Sequence, residues 1–285
     1  MFKVANLSYT YPKSKTKTIK DISFEIKKGE VFGFLGPSGA GKSTTQKILI
    51  KLLDGYSGDI FYNGVNLKDS GQDFYEKIGV SFEMPIHFSK LTALENLNFF
   101  ARLYKTKDDI ERLLKDVGLY EDRNKMVGEF SKGMKVRLNF VRAMLNRPEM
   151  LFLDEPTNGL DPRNAMILKN LILEYKKNGG TVFITSHIMS DIDQLCDRVA
   201  FIVDGVLKLI DSPRNLKIKH GRRVVKLEYY ENKKLVAKEF PLDDIANNAE
   251  FQTLLKEKEV AAIHSGETTL EEIFIELTGV GLNRE

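Results

Sequence analysis

The sequence predicts an α/β fold. A mostly parallel sheet carries a glycine-rich strand–loop–helix unit, with an N-terminal antiparallel β subdomain, a helical insertion and a small α+β C-terminal appendix. Three observations carry this reading. A short apolar run, 31–35, leads into a glycine-rich loop and then a helical pattern. Strand, helix and strand follow one another over 150–185, an order that implies parallel pairing. Between these two blocks, from about 87 to 146, three- and four-residue spacing of apolar residues replaces alternation.

Each element follows from its residues. Val4, Leu7 and Tyr9 mark a first strand, and Ile22, Phe24 and Ile26 alternate with polar residues in a second. Tyr11-Pro12-Lys13-Ser14-Lys15 reads as the turn or loop between them. Val31-Phe32-Gly33-Phe34-Leu35 is apolar throughout, as a strand buried on both faces requires. A helix is expected from about 42 to 53, then a strand including Ile60-Phe61-Tyr62, punctuated by Gly55, Gly58 and Asn63-Gly64. In the insertion, Leu94, Leu97, Phe100, Ala101 and Tyr104 form one stripe and Ile110, Leu113, Leu114 and Val117 another. A third helix starts near Ser131 and carries Val136, Phe140, Ala143 and Met144. Strands return at 150–153, 181–185 and 199–203, with a helix over 162–177. Residues 222–240 read as a hairpin and 270–277 as a short amphipathic helix.

Composition narrows the function classes. Forty-three Lys and Arg against 40 Asp and Glu leave a net charge of +3, which gives no electrostatic footprint for bulk nucleic-acid binding. Hydrophobic residues at 42% and charged residues at 29% exclude a mostly disordered chain. One cysteine, Cys196, excludes an intrachain disulfide and fits a reducing compartment. No apolar run approaches the roughly 20 residues that span a bilayer. The expected location is therefore cytoplasmic, with any membrane role arriving through a partner. The tail is basic over 215–238 and acidic over 239–285, which reads as solvated surface.

Gly36-Pro37-Ser38-Gly39-Ala40-Gly41-Lys42-Ser43-Thr44 fits G-x-x-x-x-G-K-[ST]. Glycines let consecutive backbone N–H groups turn inward onto phosphate oxygens, and the next helix presents its positive end to the same anion. Lys42 is placed to reach the β- and γ-phosphates of a triphosphate. The Ser43 hydroxyl suits Mg2+, which takes oxygen donors. This defines a P-loop NTPase core. Met150-Leu151-Phe152-Leu153-Asp154-Glu155 is an apolar strand ending in two carboxylates, at the end where parallel sheets gather ligands. Asp154 is expected to hold Mg2+ directly or through water. Glu155, on the other side of the strand, is expected to polarise an attacking water. Thr185-Ser186-His187 ends a further strand, where an imidazole contacts the γ-phosphate or fixes the water and Glu155. His87, His220 and His264 have no such setting and receive no chemistry.

With these residues in hand, the chain resembles the nucleotide-binding subunit of an ATP-binding cassette (ABC) transporter over about residues 1–212. Residues 213–285 form an accessory segment, and 87–146 the helical subdomain. Phe130-Ser131-Lys132-Gly133-Met134-Lys135 is similar to the ABC signature. Ser131 and Gly133 at a helix start make a second anion site. The resemblance implies that this site faces a γ-phosphate held by a second cassette, so that two ATP molecules lie in a head-to-tail dimer, a homodimer by expectation. It also implies that Tyr11 stacks on adenine, with Tyr9 as the alternative register. Asn158-Gly159-Leu160-Asp161 would make cross-subunit contacts. Leu91-Thr92-Ala93-Leu94-Glu95-Asn96 resembles a family stretch just inside the helical subdomain.

Two departures stand out. The signature keeps its serine and second glycine but has Phe130, Lys132 and Met134 elsewhere. Glu83, in Ile78-Gly79-Val80-Ser81-Phe82-Glu83-Met84-Pro85, stands where the family carries a glutamine near the metal. Both departures, with the tail around Leu270-Glu271-Glu272-Ile273-Phe274, resemble the subgroup paired with ABC-2 permeases. That resemblance implies export of a drug, antibiotic or peptide through a separate polytopic permease. The permease would read the groove near 82–91, lined by Phe88, Phe99, Phe100 and Tyr104. A soluble ABC ATPase of a cofactor-assembly complex is the alternative. A small-molecule kinase is a third reading, which leaves the signature, Asn158–Asp161 and His187 without a role.

Overall fold

Alternation of apolar and polar residues puts one face of β2 (Ile19–Ile26) in the core through Ile22, Phe24 and Ile26, while in β1 (Phe2–Tyr9) a register shift between Val4 and Leu7 lets both be buried. In this computed structural model, residues 1–84, 86–221, 224–266 and 268–281 are described. They divide into two units, one built on Met1–Ser212 and the other on Pro213–Val280.

In the first unit, β3 (Val31–Leu35) is buried along its whole length, and the loop after it opens α1 (Lys42–Leu49). The helix stops four residues short of the expected 53. Lys51 takes a left-handed φ of 58°, and the N–H of Leu52 donates to Lys47 O at 2.8 Å, a hydrogen-bonded stop that the apolar run does not reveal. Next come β4 (Ser57–Tyr62), β5 (Val65–Asn66), α2 (Asp73–Glu76) and β6 (Ile78–Ser81). The insertion holds α3 (Ala93–Ala101), α4 (Ile110–Asp116) and α5 (Lys132–Met144). Thr92 and Glu95 form a reciprocal capping box that starts α3. Tyr104, expected in the α3 stripe, lies beyond the end of that helix.

The chain then re-enters the sheet through β7 (Met150–Asp154), α6 (Pro162–Lys177), β8 (Thr181–Ser186), α7 (Met189–Leu195), β9 (Arg198–Val203) and β10 (Val206–Asp211). The main sheet runs β10-β9-β3-β8-β7-β6. Its pairs β6–β7, β7–β8, β8–β3 and β3–β9 are parallel, and β10 is an antiparallel edge. A second sheet, β2-β1-β4-β5, is antiparallel. Phe2, Phe24, Phe32, Phe34, Phe152 and Phe183 pack between the two sheets as one aromatic core. The C-terminal ends of β3, β7 and β8 therefore meet on one edge, where Ser186 lies in register with Leu35, and Thr185 with Asp154.

The second unit contains α8 (Pro213–His220), β11 (Val224–Glu231), β12 (Lys234–Pro241), α9 (Ala249–Glu257), β13 (Glu259–Gly266) and α10 (Leu270–Thr278). The expected hairpin is β11–β12, and residues 222 and 223 of that expectation lie outside the described residues. A third strand, β13, pairs with β11 on its other side. Leu227, Tyr229 and Phe240 form a small core here, against Phe251 and Leu254 of α9.

Candidate functional site

The glycine-rich loop is pressed onto the sheet. A Cβ on Gly36 would fall 2.1 Å from the backbone oxygen of Ile202. Gly41 has φ +108°, and a Cβ there would fall 2.6 Å from Ile19 Cδ1. Only glycine fits either position. Lys42 Nζ donates to Gly36 O at 2.7 Å and to Pro37 O at 3.1 Å, which holds the ammonium across the loop. The first turn of α1 has no acidic side chain, so its amide dipoles are left for an anion. Burial pushes the Lys42 ammonium below the usual lysine range, and the charges of Glu155, Asp154 and Glu83 oppose that shift.

The end of β7 supplies the carboxylates. Asp154 Oδ1 accepts from the Thr185 hydroxyl and, at 3.5 Å, from the Ser43 hydroxyl. Burial raises the Asp154 carboxyl above its ordinary range, with the Thr185 hydrogen bond opposing and the Glu83 charge assisting. Glu155 is 7% exposed and has φ 48°. Strand alternation predicts Glu155 on the side opposite Asp154. Instead β7 ends at Asp154, and Glu155 itself takes the left-handed backbone that leaves the strand. Its Oε2 accepts from Ser186 Oγ at 3.0 Å and from the His187 N–H at 3.3 Å, and its Oε1 lies 2.8 Å from His187 Nδ1. Thr185 and Ser186 orient both acids, a role the sequence reading did not assign. Two hydroxyls in a row before the strand-end histidine are the signal that could have found it.

Other expected residues take separate places. Glu83 is exposed, and its Oε1 accepts from Asn158 Nδ2 at 3.3 Å. Tyr11 is half-buried, stands edge-on to Tyr9 at 5.0 Å, and has its hydroxyl 3.2 Å from Thr44 Oγ1. Tyr9 is buried in the core, which leaves Tyr11 as the ring nearer the loop surface. Ser131 is exposed and caps α5, its hydroxyl accepting from the Met134 N–H at 3.2 Å. A Cβ on Gly133 would fall 3.3 Å from Leu160 Cδ2, and the Lys132 side chain lies over Gly159. The structure thus gathers Lys42, Ser43, Asp154, Glu155 and His187 at one sheet edge. Within the chain, Lys132 and Gly133, in the turn that Ser131 caps, lie against the 159–160 loop.

The donor set fits a hard, partly hydrated cation. Ser43 and Asp154 offer oxygens, and no group of three or more His, Cys, Asp or Glu among the described residues forms a ready metal cage. Mg2+ is commonly held in this manner, by one or two side-chain oxygens with phosphates and water completing the shell.

A phosphate loop on a parallel sheet, with paired acids and a strand-end histidine beside it, defines a P-loop ATPase. The ABC transporter family model matches residues 19–158, and a model described as the fluoroquinolone efflux ABC transporter C-terminal domain matches 223–267. The chain is 47% identical over 282 residues to a fluoroquinolones export ATP-binding protein of Mycobacterium tuberculosis, covering 98% of this chain and 93% of that one. It is 34% identical to a bacitracin transport ATP-binding protein of Bacillus licheniformis, covering 99% and 98%. Among solved structures, an ATP binding subunit of an ABC transporter matches with a TM-score of 0.70 and 28% identity, over 77% of this chain and 92% of that one. A dimeric bacterial ABC transporter cassette matches at 0.68 and 26%, over 74% and 98%. The chain belongs to the ABC transporter family, as an ATP-binding subunit. Among the described residues no helix is long and apolar enough to cross a membrane.

Proposed function

We propose that this chain hydrolyses ATP to power export of an antibiotic-like drug or peptide through a separate membrane permease. The observation that carries the reading is the Glu155–His187 pair, locked at 2.8 Å beside Lys42 and Asp154. A phosphate-binding protein without hydrolytic work has no use for a buried carboxylate aimed through a histidine. The relatives' work on fluoroquinolones and bacitracin supports antibiotic-like cargo.

The chain's residues divide the chemistry. The loop 36–41 and the α1 N-terminus bind the triphosphate, with Lys42 exchanging its carbonyl partners for phosphate oxygens. Ser43 and Asp154 hold Mg2+, and Glu83 adds a carboxylate to the rim of that site. When bound, Mg2+ neutralises charge on the β- and γ-phosphates. Tyr11, steadied by Thr44, stacks on the base. Glu155 accepts a proton from the attacking water, while His187 fixes the carboxylate plane and Ser186 holds its second oxygen. Catalysis is mostly positioning and charge stabilisation.

Ser131 and Gly133 serve a second cassette. Their exposed helix start offers N–H groups to the γ-phosphate on a partner copy, and the 158–161 loop meets the same partner. Closure of the pair excludes water and completes each site. The permease docks on the insertion. Phe88, Phe99 and Phe100 pack with ring centroids 5.0–5.9 Å apart, Phe99 edge-on to the other two, with Phe88 46% and Phe99 47% exposed, and Ile86 nearby in sequence is 82% exposed. Phe100 is less open and lies under the Arg142 guanidinium at 4.9 Å. The subunit then works at the inner face of the cell membrane.

The test is affinity purification of the tagged chain from membranes, followed by ATPase and drug-efflux assays on the purified assembly. A polytopic protein that co-purifies, and efflux abolished by Glu155→Gln, is the expected result. A complex of soluble proteins alone would overturn transport in favour of a cofactor-assembly role.

A further inference from the structure

Asp191 is a buried carboxylate that the hydrolytic chemistry above does not use. It is 6% exposed, on α7, four residues after His187. One oxygen accepts from the Thr157 hydroxyl. The other pairs with Lys169 Nζ at 2.5 Å, and that ammonium also donates to Gln194 Oε1 at 3.0 Å. Thr157 is itself buried. A buried ion pair is a weak source of stability, because desolvating both charges consumes most of the attraction. Its placement here points to geometry.

Two short arches meet at this point. In the first, the Asn158 N–H donates to Glu155 O and the Leu160 N–H to Thr157 O, both at 3.1 Å. In the second, the Ile188 N–H donates to Ser186 Oγ at 3.0 Å and the Asp191 N–H to Ile188 O at 3.2 Å. Glu155 ties the arches at one end, through Ser186 and His187. Thr157 and Asp191 tie them at the other. One tie would leave the arches free to pivot, whereas two ties fix their relative rotation.

We propose that Asp191 is a positioning residue for hydrolysis. Through Thr157 it locks the 158–161 loop to the helix behind His187, so that the Glu155 carboxylate keeps its aim when the loop is loaded by a second copy. Lys169 neutralises the buried charge and holds the carboxylate rotamer. The proposal rests on the ATPase reading and extends it to residues outside the nucleotide contacts.

The test uses the full chain with Thr157→Val, Thr157→Ser, Asp191→Asn and the pair Thr157→Val/Asp191→Asn. For Thr157→Val, kcat is expected to fall about 10- to 100-fold, as small misplacements of reacting groups do, with KM for ATP within about threefold. Thr157→Ser keeps the hydroxyl and is expected to retain kcat within about threefold of the parent. The double variant is expected to be no slower than the worse single one, because the two residues make one contact. A Thr157→Val chain that turns over at the parental rate overturns the proposal, as do losses that multiply in the double variant. Thr157→Val leaves the ion pair in place and decides the matter if Asp191→Asn does not fold. The parental chain's turnover and its loss in Glu155→Gln are measured alongside, so failure of this proposal is distinct from failure of the ATPase reading.

Discussion

Glu155→Gln separates charge from shape at the centre of the site. The amide oxygen can replace Oε2, accepting from Ser186 Oγ at 3.0 Å and the His187 N–H at 3.3 Å. The amide NH2 then faces His187 Nδ1, which stands 2.8 Å from Oε1 in the parent. Two donors cannot share that contact, so the imidazole must offer a lone pair at Nδ1 and carry its proton on Nε2. The fold and the nucleotide contacts survive, while the proton acceptor for water is gone. General-base catalysis is worth about 10²- to 10⁴-fold, or about 3–5 kcal/mol of barrier. The expected outcome is phosphate release slowed by at least about 10²-fold, with ATP still bound and a dimer accumulating in the presence of ATP. Phosphate release is followed by a stopped-time assay, dimer by light scattering, and the tautomer by imidazole nitrogen NMR. Turnover within a few-fold of the parent would remove Glu155 from the chemistry.

Three further outcomes follow from the structure. Ser131→Arg places a bulky cation at the exposed start of α5, and is expected to prevent the ATP-dependent dimer while nucleotide binding to each chain persists; unchanged dimerisation by light scattering would rule out the second anion site. Thr44→Val deletes the hydroxyl 3.2 Å from Tyr11 OH and is expected to weaken ATP binding by about three- to tenfold, the effect of one hydrogen bond; equal affinity by calorimetry would show that Tyr11 needs no such anchor. Burial, with Arg142 nearby and Lys135 adding to it, pulls the His87 imidazole from 6.5 down to about 4, against the hydrogen bond between Nε2 and Lys135 O at 3.2 Å. The unfolded chain therefore binds the extra proton between those values, and stability is full above pH 6.5 and falls toward pH 4. At full effect this is about 3 kcal/mol, and less here because His87 is partly exposed. His87→Gln is expected to flatten urea-unfolding free energies across that window; parallel pH curves would refute the assignment.

Much of the framework was legible because its patterns are local. Val31–Leu35 and Met150–Leu153 are unbroken apolar runs, and both lie in strands buried along their whole length. The 162–177 helix begins with Asp161 as cap and Pro162 in its first turn, so its start was written in residue types. What stayed hidden depends on pairing at a distance. Thr185 orienting Asp154, Ser186 holding Glu155 and Asn158 reaching Glu83 join residues 31 to 75 positions apart on neighbouring strands and loops. No alternation pattern announces the left-handed backbone of Glu155, since a glutamate pays steric strain there and only its neighbours make it worthwhile. β13 escaped because its apolar residues run consecutively over 260–263 rather than alternating, and its strand state comes from pairing with β11.

Ser131 sits in a different neighbourhood from Lys42 within one chain, its helix start lying against Leu160. In the head-to-tail pairing proposed above, each sealed compartment would be a chimera, taking its acid and lysine from one polypeptide and its lid from the other. Two crippled chains should consequently rescue each other. That pairing predicts that a Ser131→Arg chain mixed with a Glu155→Gln chain gives one compartment with both lesions and one with neither, so complementation between dead alleles is the expected outcome.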